Sequence, residues 1–267
     1  MLSKVRSEFR ERILRVVEEV SQRQDQVAAQ RHREQLEAIR AESDRVISTV
    51  RGALHDAEVR ARRDIFAAGE RDAVASSARF ALEAMPFATT FPHPHTTLEH
   101  ALRLAPAGGL ALEFGVYSGQ TLKMIAAART GGEVYGFDSF QGLPEAWRSG
   151  FPVGAFSLDQ LPDVPGAELV VGWFEDTLPG FLAEHPEPVS FLHLDADLYS
   201  STRTVLDLVG PRLQPGSIVL FDEYFNYPGW EQHEHRAWRE YVARTGTRFD
   251  YLGYTVDNEQ VIVRITE

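Results

Sequence analysis

The sequence predicts an α/β fold: a mostly parallel sheet covered by helices, closed by a C-terminal antiparallel hairpin and preceded by an N-terminal helical extension. Three observations carry this expectation. From residue 108 onward, strand-like and helix-like segments alternate, as in consecutive βαβ units. The strand-like segments are apolar on both faces, which suits a parallel sheet buried on each side. The first 85 residues hold no proline and only two glycines, Gly52 and Gly69, so little interrupts a helix there.

In the extension, apolar residues fall at Val5, Phe9, Ile13, Val17 and Val20, and again at Val46, Val50 and Leu54. Spacings of three and four mark one helical face. The stretch SQRQDQVAAQRHREQ between them is helix-compatible but nearly all polar. Such helices cannot bury themselves alone, so residues 1–85 are expected to pair as a coiled-coil, homo-oligomerising arm or to fold back on the main domain. MPFATTFPHPHTT, with Pro86, Pro92 and Pro94, breaks the pattern. Residues 86–107 are therefore read as a linker with a lead-in helix, and FPHPH as rigid linker rather than metal clip.

The α/β domain spans 108–267. LALEFGV, EVYGFD, AELVVGWF, PVSFLHLDAD and SIVLFDEY read as strands. GQTLKMIAAART, EDTLPGFLAEH, SSTRTVLDLVGPRL and GWEQHEHRAWREYVART read as the intervening helices. FDYLGYTV and QVIVRITE flank the turn-forming DNE as the closing hairpin.

Composition bounds the function. With 43% hydrophobic and 10% aromatic residues the chain can pack a substantial core. It has no cysteine, hence no disulfide, thiolate nucleophile or Cys-type zinc site. No apolar stretch reaches membrane-spanning length, and MLSKVRSEFRER has no signal-like core, so a cytoplasmic protein with no membrane partner is expected. The net charge of −12 is uneven: residues 1–85 hold 16 basic and 15 acidic side chains, residues 86–267 hold 11 and 24. An acidic globular part argues against nucleic-acid binding.

In a parallel sheet, ligands bind beyond the carboxyl ends of the strands. Those ends read Glu113, Gly115, Tyr117, Ser118 and Gly119, then Asp138, then Gly172, Trp173, Phe174 and Glu175, then Asp195 and Asp197, then Asp222 and Glu223. LEFGVYSGQT lets backbone approach a ligand, but its glycines stand four apart and do not form GxGxxG, which disfavours a dinucleotide-dependent oxidoreductase. Asp138 suits a ribose diol or, alternatively, the N-cap of a following helix. Trp173 and Phe174 suit adenine stacking or the core.

Taken together, LEFGVYSGQT, GFDSFQGLPE, HLDADLYSST and VLFDEY resemble class I S-adenosylmethionine-dependent methyltransferases. More narrowly they resemble the macrocin O-methyltransferase family, whose members methylate hydroxyls on sugars and aglycones of natural products. The resemblance covers residues 108–265. It implies a Rossmann-like sheet of seven strands and S-adenosylmethionine as cofactor, held by Glu113, Gly115, Tyr117, Ser118, Gly119, Thr121, Asp138, Ser139, Phe140, Gly172, Trp173, Phe174 and Asp195. It also implies Mg²⁺ on Asp195, Asp222 and Glu223, and a small hydroxyl-bearing acceptor. The family's second acidic pair is usually Asp-Asp, whereas this chain has Asp222-Glu223.

Carboxylate oxygens converging from adjacent strand ends suit Mg²⁺. Asp195 is the expected metal ligand and general base. Asp197 is expected to cap the next helix or brace the loop. His233 is a candidate base facing substrate from a lid helix, although H-x-H at 233 and 235 is weak evidence for zinc. The acceptor is expected to be walled by residues 85–97, 144–165 and 225–240. A rival reading keeps the fold without the chemistry, as a scaffold working through the helical arm.

Overall fold

In the computed structural model the elements run α1 (Leu2–Arg63), α2 (Ile65–Ala84), β1 (Thr89–Phe91), α3 (Pro94–Leu104), β2 (Leu110–Phe114), α4 (Gln120–Ala128), β3 (Glu133–Asp138), β4 (Glu168–Val171), α5 (Phe174–Glu184), β5 (Val189–Leu194), α6 (Tyr199–Val209), β6 (Leu213–Phe221), α7 (Glu234–Thr245), β7 (Phe249–Thr255) and β8 (Val261–Ile265). The structure describes residues 2–130 and 132–267, with side chains from residue 10, so the expected apolar positions Val5 and Phe9 lie outside the described side chains.

One sheet holds all eight strands, in the order β1-β7-β8-β6-β5-β2-β3-β4. β6, β5, β2, β3 and β4 pair in parallel, and β8 runs antiparallel to both β6 and β7. The closing hairpin is therefore present as expected. The eighth strand is not in the seven-stranded expectation: β1, inside the segment read as linker, pairs in parallel with β7 at the sheet edge. Three residues bounded by prolines carry no period-two signal, so only the pairing partner defines them as a strand. Pro94 then opens α3 at a first-turn position, where its missing N–H costs nothing.

Both faces of the parallel strands are covered. Phe114, Leu192, Leu194, Val219 and Phe221 pack into one apolar cluster, whereas Ala111, Phe191, Ile218 and Leu220 pack into another. Successive residues of β5 and β6 thus alternate between two cores, which is why these strands read as continuous apolar runs. The strand order reverses between β2 and β5, because β3 and β4 lie on one side of β2 while β5 and β6 lie on the other. A crevice forms at such a switch point.

The chain divides into two compact units after Ala67. In the first, α1 is one continuous helix of 62 residues. Its apolar residues, including Ile13, Val17, Val20, Val46, Val50 and Leu54, are exposed. Asp64 follows α1 and caps α2, its Oδ1 accepting the N–H groups of Phe66 and Ala67. The second unit takes in most of α2, which the sequence groups with the extension. Ala73, Ser77 and Ala81 are buried, and the Phe80 ring lies 5.4 Å from Trp230 and 5.2 Å from His235. Ser77 Oγ accepts the Asn226 N–H at 2.9 Å. Among the described residues no helix is long and apolar enough to cross a membrane.

Candidate active site

A cavity of about 800 Å³ opens at the carboxyl ends of β2, β3, β5 and β6, at the switch point. Its two sides are built differently.

The glycine side is a backbone construction. β2 runs into Gly115, at φ +92°, where a Cβ would collide with the Asp195 carbonyl oxygen. Only glycine lets the ends of β2 and β5 approach this closely. Tyr117 follows at φ +44°, a conformation unusual for a bulky residue. Asp138, at the end of β3, holds this turn in place. Its Oδ2 accepts the N–H groups of Val116 and Tyr117, each at 2.9 Å, and its Oδ1 accepts the Phe140 N–H at 2.7 Å. No helix follows Asp138, so the alternative reading of it as a helix cap does not describe this residue. Gly115, Tyr117, Asp138, Ser139, Trp173 and Phe174 line the cavity. Phe174 also packs edge-on against Phe114 at 5.2 Å.

Several expected cofactor contacts stand behind this wall. Ser118, Gly119, Thr121, Phe140 and Gly172 are not among the lining residues. Phe140 is buried in the core, and a Cβ at Gly119 would press on Val164. Glu113 is also not at the surface of the cavity. It is 0% exposed, and its Oε1 lies 2.9 Å from His193 Nδ1. Burial raises the Glu113 carboxyl pKa, while hydrogen bonds from His193 and Thr121 lower it in part.

The acid side is a side-chain network. Glu113, His193 and Asp222 form a buried chain, with His193 Nε2 3.4 Å from Asp222 Oδ1, and Gln260 Nε2 donates to Asp222 Oδ2 at 3.1 Å. Burial works against a charged His193, but its bonds to Asp222 and Glu113 hold its pKa well above the usual value. The Asp222 carboxyl is pushed up by burial and brought below its usual range by His193. The ligating atoms of His193, Asp195 and Asp222 all lie within 4.8 Å of one another, as do those of Asp195, Asp197 and Glu223. Asp195 belongs to both groups. Burial and the neighbouring Asp222 hold its carboxyl well above the ordinary range, and burial with Asp195 and Asp222 does the same for Glu223.

Of the two roles expected for Asp197, helix cap and loop brace, the cap is not found. α6 begins without a side-chain cap, so Asp197 is not capping it. It sits at φ +57°, 7% exposed, in contact distance of the acid cluster, and burial raises its carboxyl to about 7 against the opposing charge of Arg148. His233 is also corrected in position: it precedes α7, meets Trp147 edge-on at 6.5 Å and Tyr227 at a tilt at 6.2 Å, and does not line the cavity. Burial lowers its pKa.

Of the three segments expected to wall the acceptor, 85–97, 144–165 and 225–240, the second lines the cavity through Pro144, Glu145, Trp147, Arg148, Phe151 and Phe156, and neither of the others lines it. Trp147, Arg148, Phe151 and Phe156 form an aromatic shelf opposite the acids. The Arg148 guanidinium lies 4.0 Å over the Trp147 ring and is paired with Glu259 at 2.9 Å. Sequence reasoning missed His193, Glu234 and Gln260, and named the segment of this shelf but not its residues. His193 had a signal: it is the one polar residue within apolar FLHL, two positions before Asp195 and so on the same side of the strand.

A doubly covered parallel sheet with an antiparallel hairpin, and a glycine turn, acid and aromatics at successive strand ends, form the arrangement expected from the resemblance to class I methyltransferases. Residues 112–224 match the family model described as a methyltransferase domain, Methyltransf_24. Two curated relatives are similar. One is the 8-demethyl-8-(2,3-dimethoxy-alpha-L-rhamnosyl)-tetracenomycin-C 4'-O-methyltransferase of Streptomyces olivaceus, 32% identical over 143 residues, 43% of this chain and 53% of that protein. The other is the mycinamicin III 3''-O-methyltransferase of Micromonospora griseorubida, 29% identical over 109 residues, 33% of this chain and 42% of that protein. The matches thus span about half the length of these relatives. The crystal structure of the calicheamicin methyltransferase CalS11 aligns with 73% of this chain and 91% of its own, at a TM-score of 0.53 and 24% identity, which supports the shared fold.

Proposed function

We propose that this protein is an S-adenosylmethionine-dependent O-methyltransferase acting on a hydroxyl of a sugar or glycosylated metabolite, assisted by a divalent cation. The observation that carries the reading is the convergence of Asp195, Asp197, Asp222 and Glu223 at the mouth of the switch-point crevice, across from the glycine turn. The curated relatives, which are named as O-methyltransferases of glycosylated natural products, support the acceptor class.

The residues fit a hard cation. The donors are carboxylate oxygens, and Glu223 Oε2 is buried with no partner among the described residues. Asp195, Asp222 and Glu223 would hold the ion, which supplies Lewis acidity that makes a substrate hydroxyl more acidic. Gly115, Tyr117, Asp138, Ser139, Trp173 and Phe174 would hold the methyl donor, which supplies an electrophilic methyl group. Asp138 retains free lone pairs for ribose hydroxyls beside its three amide bonds. Asp195 would take the acceptor's proton, and the rigid strand ends would supply the alignment that an in-line transfer requires. The stacked rings of Phe151 and Phe156, the latter exposed, would offer an apolar face to a sugar ring. Arg148, the lone basic side chain lining the cavity among the described residues, is already paired with Glu259, so the acceptor site suits an uncharged polyol better than an anion.

Titration with S-adenosylhomocysteine by calorimetry tests the donor site, and no heat at millimolar ligand would sink it. Turnover of glycoside acceptors that survives EDTA undiminished would remove the metal from the reading. The exposed apolar residues of α1 support a self-associating arm, which sedimentation of the full chain against a chain lacking residues 2–67 would test. They also favour the rival scaffold reading, which requires Asp195→Asn to leave the protein's function untouched.

A further inference from the structure

Glu234 is the first residue of α7 and is 0% exposed. Nothing in its sequence neighbourhood, EQHEHRAWREY, distinguishes it from the solvated acids of a surface helix. Yet it does not face solvent and does not line the cavity. Its Oε2 accepts the backbone N–H of Glu223 at 3.1 Å, and its Oε1 accepts the backbone N–H of Ala196 at 3.4 Å. Ala196 stands between Asp195 and Asp197. The Glu223 amide follows Asp222. One carboxylate therefore bridges the two acid-bearing turns, one after β5 and one after β6. Strand pairing ends at Leu194 and Phe221, and beyond it the Asp222 N–H donating to the Leu194 carbonyl at 2.8 Å is the one backbone bond between the two turns among the described residues.

We propose that Glu234 is a positioning residue that clasps these two turns and so sets the spacing of Asp195, Asp222 and Glu223 for cation binding. This rests on the metal reading above. Both oxygens are occupied by amides, so Glu234 acts through the turns rather than as a ligand itself. Burial and the neighbouring Asp197 and Asp222 hold the Glu234 carboxyl well above its usual range, and the hydrogen bonds from the Ala196 and Glu223 amides lower it only in part. A glutamine has the same shape but presents an NH₂ where one amide donates, so one turn is released. An aspartate keeps the charge but is too short to reach both turns.

The test is Mg²⁺ binding by calorimetry to the wild type, Glu234→Gln and Glu234→Asp, each saturated with S-adenosylhomocysteine. Loss of an outer partner of a ligand set typically weakens metal affinity about 10–100-fold. That loss is expected in both variants, with S-adenosylhomocysteine affinity unchanged and turnover recovered at raised Mg²⁺. Rescue by added metal separates positioning from a general structural role. Unchanged Mg²⁺ affinity in the variants overturns the proposal alone, whereas a wild type that binds no Mg²⁺ overturns the metal reading beneath it as well. Should neither variant fold, amide exchange in the wild type decides. The Ala196 and Glu223 amides are expected to be protected, and rapid exchange at both overturns the clasp.

Discussion

The two sides of the cavity reach order by different means. On the glycine side, a positive-φ glycine, a strained Tyr117 and one carboxylate accepting three amides fix the backbone locally. On the acid side, order depends on side chains brought from four separate elements: Glu113 from β2, His193 from β5, Asp222 after β6 and Glu234 from α7. The first kind of order tolerates changes of charge but not of shape. The second depends on both the charge and the reach of its side chains. Each prediction below probes that contrast.

The largest effect is expected on the acid side. Asp195→Asn preserves volume and removes the charge shared by both ligand groups. Methyl transfer should fall about 10³-fold or more, roughly 4 kcal/mol in the barrier, because both proton removal and cation binding are affected. Binding of S-adenosylhomocysteine, measured by calorimetry, should persist. If donor affinity collapses along with turnover, the two sides are not separable as described.

Gly115→Ala is the matching test on the other side. It changes no charge, yet its methyl group would meet the Asp195 carbonyl at φ +92°. A cost of about 3 kcal/mol in unfolding free energy is expected from strain and collision together. Donor binding should be lost with it. An alanine variant of wild-type stability would show that the turn is looser than its geometry indicates.

These two residues also show what the sequence made legible. Gly115, Asp138 and Asp195 stand out because each is a local exception: a glycine leaving a strand, or an acid ending an apolar run. The parallel sheet was legible for the same reason, since burial on both faces leaves a continuous apolar run in β5. β1 was not, because three residues acquire strand character only from β7. Glu234 and Gln260 were not, because their roles depend on partners 11 and 38 residues away. Of the two roles expected for Asp197, the cap is absent, because its backbone is left-handed at φ +57° and that conformation leaves no trace in residue type.

Acidity offers a third probe, specific to the acid side. The carboxyls of Asp195, Asp197 and Glu223 are raised in the folded protein, Asp197 to about 7, chiefly by burial. A raised carboxyl pKa means that the folded state holds protons the unfolded chain has released. Its contribution is therefore full below the unfolded value near 4 and is lost as pH rises through the folded value. His193, also raised, has the same sign above pH 6.5, whereas lowered Asp222 opposes them only at acid pH. In the presence of EDTA, thermal stability should decline between pH 5 and 8 by on the order of 5 °C. Added Mg²⁺ should restore more at pH 8 than at pH 5, and a flat profile under both conditions would contradict the cluster.

The smallest expected effect tests whether charge matters at all on the glycine side. Asp138→Asn keeps an oxygen for the Phe140 amide but turns an NH₂ toward the Val116 and Tyr117 amides, or the reverse if the group rotates. Either way, at least one buried amide loses its acceptor, at about 1–2 kcal/mol. Donor affinity should weaken about tenfold, because the turn relaxes and a ribose acceptor is lost together. Mg²⁺ affinity, set across the cavity by side chains that do not touch Asp138, should not move. A parallel loss of metal binding would mean that the glycine turn and the acid cluster form one cooperative unit through the Gly115–Asp195 approach.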